Sequence, residues 1–200
     1  MLNASDVIGR QITVRDGGHN VGRIKDLVVD STGKQVIGIV LSDGMFSSSR
    51  VAPWKAVQAF GPDSVVIDTA GSVLRAQDIP DIKAVLDKKT RIKGLKLLTT
   101  AGKELGKIAD FIFDETAGGI SGYELSGGLF SNAFDVTPFL PTPPAIELGK
   151  DVAFVAPEVE ATIVPSGGLK AAFTKHSDKA SELGKASEPD KPSEPWTGAV

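Results

Sequence analysis

The chain has no cysteine among its 200 residues. That excludes a disulfide framework, thiolate metal sites and a cysteine nucleophile, and it fits a reducing compartment. Long hydrophobic runs are also missing. The longest, around residues 27–29 and 36–41, fall far short of the ~20 residues that span a bilayer. The first residues, Met-Leu-Asn-Ala-Ser-Asp-Val-Ile-Gly, show neither a basic stretch nor the apolar run of a secretory signal. The expectation is therefore a cytoplasmic chain that meets a membrane only through a partner. Charge of one sign is lacking too. A net charge of −3 gives no global pull toward nucleic acid or an anionic surface.

Catalytic patterning is equally sparse. Neither Gly17-Gly18 nor Gly127-Gly128 is followed by the Gly-Lys-Ser/Thr of a phosphate loop. His19 lies in a Gly-Gly-His-Asn turn with no nucleophile tied to it by motif, and His176 has no evident partner. Asp26 and Asp30, like Asp110 and Asp114, have the even spacing that puts side chains on one face of a strand. Such a pair suits a hard cation when further oxygens join it. Asp30 and Asp114 closing turns, with Asp26 and Asp110 bonding backbone at a rim, accounts for the four without a metal. The expectation is a protein that is not an enzyme, with no catalytic residue, cofactor or metal.

What the chain does contain is a repeat. Val21-Gly22-Arg23-Ile24-Lys25-Asp26-Leu27-Val28-Val29-Asp30 returns as Leu105-Gly106-Lys107-Ile108-Ala109-Asp110-Phe111-Ile112-Phe113-Asp114, an offset of 84 (Gly106 against Gly22). Around each copy, short β-branched runs alternate with turns rich in Gly and Asp. Strands are expected at about 11–15, 21–29, 35–41 and 64–68, and again at 94–99, 105–113, 120–125 and 152–155. Gly38 inside an apolar run marks a bend or a close backbone approach. Val51-Ala52-Pro53-Trp54 matches Val136-Thr137-Pro138-Phe139 at offset 85, and Gly61-Pro62-Asp63 matches Gly149-Lys150-Asp151 at offset 88. The added length is assigned to the Pro-rich stretch at 141–144, and Trp54 and Phe139 to the core. Between the copies the period changes: Pro80 opens, and Ile82, Val85 and Leu86 share a face, so a connecting helix is expected over 81–87.

The ordered set Gly9, Gly18, Gly22, Ile24, Asp26, Asp30, Gly33 and Gly38, with Gly94, Gly102, Gly106, Ile108, Asp110, Asp114 and Gly122 in the second copy, resembles the PRC-barrel family. That family includes the cytoplasmic domain of the photosynthetic reaction-centre H subunit and the C-terminal domain of a bacterial ribosome-maturation factor. The resemblance implies an all-β chain of two tandem small antiparallel β-barrels joined by a short helix, used for protein interaction. The organisation expected is a first module at 1–75, a hinge at 76–91, a second module at 92–165 and a disordered polar tail at 166–200, where composition turns to Lys, Ser, Glu, Pro and Ala. The H subunit's transmembrane helix and the ribosome factor's extra N-terminal domain have no counterpart in the sequence, so neither specific task is implied.

The candidate partner-binding residues are Met45, Phe46, Leu129 and Phe130, apolar side chains at loop tips where a simple turn would be polar. Two uses fit them: a patch for a partner, or plugs folded back over a barrel end. Lys83, Lys88, Lys89, Arg91, Lys93 and Lys96 concentrate positive charge at the hinge. They fit a solvated face, or an RNA-linked maturation role through phosphate contacts, though few aromatics interleave them for base stacking. The partner expected is a protein, in a membrane or ribosomal complex or as a second copy of the chain.

Overall fold

The repeat folds twice, strand for strand. The computed structural model describes residues 1–42, 49–88, 91–128 and 137–165. In the first copy, β2 (Gln11–Val14), β3 (Asn20–Val29), β4 (Val36–Ser42), β5 (Arg50–Pro53), β6 (Val57–Phe60), β7 (Ser64–Ile67) and β8 (Leu74–Arg75) form a seven-stranded sheet. Its order is β6-β7-β2-β3-β4-β5-β8. The second copy supplies β9 (Lys96–Thr99), β10 (Glu104–Phe113), β11 (Ile120–Ser126), β12 (Pro138–Pro141), β13 (Glu147–Leu148), β14 (Val152–Val155) and β15 (Val164–Pro165). They run β13-β14-β9-β10-β11-β12-β15, the same order. Pairing is antiparallel except β2 with β7 and β9 with β14. Among the described residues neither hydrogen-bonded path closes on itself.

The strand alternation decides which face is buried. Ile24, Leu27 and Val29 of β3 point inward, as do Ile108, Phe111 and Phe113 of β10. The register slips once after Ile24 and once after Ile108, so Lys25 and Ala109 are the extra residues of matching bulges. Gly9 donates its amide to the Ile24 carbonyl at 2.8 Å, and Gly94 to Ile108 at 2.7 Å.

One expected correspondence is corrected. Pro53 stands opposite Gly38, and Pro141, not Pro138, stands opposite Gly122. Pro138 lies three residues earlier in β12 and pairs with Pro165. The offset at this strand is therefore 88, and it stays 88 through the matched turns in which Gly61 and Gly149 donate to Ser64 and Val152, each at 2.9 Å. The extra four residues fall between β11 and β12, not in the Pro-rich stretch. Proline fits here because Pro53 and Pro141 lie past the short pairings with β8 and β15, where no ladder bond needs their missing N–H.

A small helix, α2 (Pro80–Asp87), opens on a proline and carries Asp81 in its first turn. It lays Ile82 against Val28, Val40 and Val51 on the outer face of the first sheet. Gly38 is bare for this reason: a Cβ there would sit 2.8 Å from Ile82 Cδ1. Ahead of β2, β1 (Leu2–Asn3) and the one-turn α1 (Ala4–Val7) precede the first sheet in sequence but join the second. Leu2 pairs with Phe113 and Asn3 with Ile112. After β14 a 3-10 helix at Pro157–Thr162 precedes β15. The principal core is continuous through both copies. Among the described residues no helix is long and apolar enough to cross a membrane. The tail expected at 166–200 lies outside the described residues.

Candidate functional site

The two copies meet through their turns. Asp30 closes the β3–β4 turn by accepting the amides of Lys34 at 2.9 Å and Gln35 at 3.0 Å. Asp114 closes the β10–β11 turn through Thr116 at 2.8 Å and Ala117 at 2.6 Å. These bonds, the Ala117 amide foremost, hold the Asp114 carboxyl below its ordinary value. Each turn enters the other copy. Gly118 lies under the Trp54 indole, where a Cβ would stand 2.7 Å from Cε2. Gly33 lies under Tyr123, whose hydroxyl donates to the Gly33 carbonyl. Burial pushes the Tyr123 phenol well up, and the Asp30 carboxylate adds to the shift.

Trp54, expected in the core, is half-buried at this junction. It stacks on Phe60 at 5.4 Å and meets the edge of Phe113 from the other copy at 5.9 Å. Phe139 is 2% exposed. Asp110, expected at a rim, is buried beneath α1. It accepts the Ser5 amide at 3.1 Å and the Ser5 hydroxyl, with Lys93 Nζ at 3.6 Å. Its counterpart Asp26 accepts the Leu27 amide at 2.9 Å.

Beside this junction lies a cleft of about 710 Å³. Val28 and Val40 of the first sheet, Val85 and Leu86 of α2, and Phe111 of the second sheet give it an apolar wall. Among the described residues four cations, Lys25, Lys88, Arg91 and Lys93, line it, with Asp26 and Asp30 as the carboxylates. Part of the basic hinge thus gathers with apolar side chains from both copies. Concave apolar surface with a few convergent charges is what a bound segment or ligand uses.

The loop-tip residues Met45, Phe46, Leu129 and Phe130 lie outside the described residues. His19 is exposed in its turn. Among the described residues no three His, Asp or Glu side chains converge on a metal position. Sequence reasoning missed Tyr123 and Ser5. A signal for Tyr123 existed: the sole tyrosine stands where the first copy has the core residue Ile39, and a buried phenol needs an acceptor. Ser5 gave none, because its partner lies in the other copy.

Comparison with known proteins returns one family. The PRC-barrel domain matches residues 1–74 and again residues 87–160. No curated protein matches the chain.

Proposed function

The chain belongs to the PRC-barrel domain family, and from that premise we propose that it is a non-enzymatic protein-interaction module, an adaptor or assembly factor whose two sheets are the barrels of its two repeats. The observation that carries this reading is the cleft at the junction, which both copies build. Its occupant is a segment of a partner protein with apolar side chains for the Val28–Leu86–Phe111 wall and carboxylates for Lys88, Arg91 and Lys93. The loop tips at Met45, Phe46, Leu129 and Phe130 are a second anchor in this reading. The carboxyls of Asp68 and Asp114 are lowered and the Tyr123 phenol is raised. The shifts trace to the Ser72 hydroxyl and Thr69 amide, to the turn amides and to burial, and none of the three residues lines the cleft.

The test is capture from native lysate, with and without nuclease, by the wild type and by Lys88→Glu/Arg91→Glu. A discrete protein that survives nuclease on the wild type and is lost by the double reversal supports the adaptor. Equal capture by both overturns the cleft.

A second reading follows from the four cations alone: contact with RNA phosphates, as in a ribosome-associated factor. It predicts binding that collapses with salt and partners that vanish on nuclease treatment. Asp26 and Asp30 in the same cleft weigh against it.

A further inference from the structure

The outer face of the second sheet carries a pattern its fold does not require. The inward residues of β9, β10 and β14 (Leu97, Leu105, Ala153 and Val155 among them) are buried, and they satisfy the core. The outward residues form two rows across the strands. In one, Val152 stands beside Lys96, and Lys96 opposite Lys107. In the other, Glu147 pairs with Phe154, Phe154 stands beside Leu98, and Leu98 opposite Glu104. The rows lie two residues apart on β9 and β14, about 7 Å, and three apart on β10, where the bulge between Glu104 and Gly106 adds a residue. One edge of the patch is thus basic and the other acidic, with an apolar strip that includes Phe154, 38% exposed.

Like charges directly opposite one another destabilise a ladder, yet among the described residues Lys96 and Lys107 form no ion pair within the chain. Neither do Glu104 and Glu147. The first sheet shows that the fold manages without this pattern. At the equivalent places Gln11 faces Arg23, Thr13 faces Asn20, and Ser64 and Val66 flank them. There the polar groups satisfy each other: Thr13 and Ser64 share a hydrogen bond of 2.7 Å, and Arg23 donates to the Gly9 carbonyl at 2.9 Å.

We propose that this face binds the same face of a second copy of the chain. A two-fold axis running across the strands, between the two rows, lays the basic row of each copy over the acidic row of the other. Lys107 then meets Glu104 of the second copy, twice per dimer, while Leu98, Phe154 and the lysine stems close the apolar strip. A partner of single charge sign complements one edge of the patch and opposes the other; a second copy complements both. Four strands by two rows is a small contact beside the ~800 Å² per partner of a standard interface, so the dimer is weak, reversible and sensitive to salt.

Sedimentation equilibrium of the purified full chain, across a wide concentration range, tests this. The wild type is expected to show a monomer–dimer equilibrium. Lys107→Glu and Glu104→Lys each weaken it by about tenfold or more, because each sets like charges in contact twice per dimer. The double variant Lys107→Glu/Glu104→Lys restores the pairing in reverse and returns to within about threefold of wild type on the same scale. Phe154→Asp abolishes the dimer, and Lys88→Glu, in the cleft, leaves it unchanged. Far-ultraviolet circular dichroism is expected to be the same for every variant, since all these side chains point outward. A wild type that stays monomeric at the highest concentration overturns the proposal. So does a dimer indifferent to both charge changes, or a double variant as weak as the single ones.

Discussion

Val36 and Ile120 occupy the same place in the two repeats, and each binds the carbonyl that the other's turn presents. The Val36 amide donates to Gly118 and the Ile120 amide to Lys34, both at 2.8 Å, around a bridge between Gln35 and Gly119. Reciprocal bonds of this kind are what two identical subunits make about a two-fold axis. Here they are made within one chain, so the interface is permanent and both copies share one core.

Shared packing predicts shared unfolding. Trp54→Ala removes an indole that touches Phe60 of its own copy and Phe113 of the other. We expect a loss of about 3 kcal/mol, at the low end for a large aromatic because Trp54 is only half-buried. The urea transition should stay single and coincide by fluorescence and circular dichroism. Two separate transitions would show that the copies are independent domains.

Gly118 and Gly102 both have positive φ, at 75° and 85°, but their surroundings differ. A Cβ on Gly118 meets the Trp54 ring and, at 2.9 Å, the Val36 carbonyl; a Cβ on Gly102 meets nothing within 4 Å. Gly102→Ala should cost about 1 kcal/mol, the backbone term alone. Gly118→Ala adds overpacking and should cost about 2–4 kcal/mol. Equal losses in denaturant titration would mean that the turn is not wedged into the junction.

Tyr123→Phe keeps the ring and deletes the bond to Gly33. Leaving that carbonyl without its donor should cost about 1–2 kcal/mol at neutral pH. Because the native phenol is raised above its ordinary value of 10.0, its contribution is complete below pH ~10 and is lost as pH climbs and the unfolded chain ionises. The chain has a single tyrosine, so phenolate absorbance reads this group without interference. We expect no phenolate until alkaline unfolding, and a flatter alkaline stability profile for Tyr123→Phe.

The lowered carboxyl of Asp114 acts at the other end of the pH scale. Its stabilisation is present above the unfolded value of 3.8 and disappears as pH falls through the lower native one. Asp114→Asn retains an acceptor for the Thr116 and Ala117 amides but does not titrate. Its melting temperature should fall less steeply than that of the wild type below pH ~4. Parallel slopes would remove Asp114 from the acid response.

The parts of this architecture that depend on near neighbours were legible in the residues. The doubled strand around Gly22 and Gly106, the Asp-closed turns, and the helix announced by Pro80 all follow from local periodicity and turn chemistry. What was hidden depends on distance along the chain. Leu2 and Asn3 fall in the module expected at 1–75 and pair with the second copy. Pro53 seemed matched by Pro138 because the two share a local Pro-aromatic pattern, yet ladder register against Gly38 and Gly122 selects Pro141. The cleft joins Val28, Leu86 and Phe111, which no local pattern associates. Three of its cations, Lys88, Arg91 and Lys93, were visible as a basic hinge, but Lys25 and the apolar wall were not.

The crossing of Leu2 and Asn3 onto Ile112 and Phe113 has a consequence for synthesis. A nascent chain that has completed β2 to β8 still holds β1 and α1 without their partners, and Ser5 waits for Asp110. Closing so long a loop costs little more than closing a short one, but it cannot begin until β10 has left the ribosome. The first repeat alone is therefore an unfinished object, and a translation stall within the hinge would leave Leu2 and Asn3 unpaired for chaperones or proteases to find.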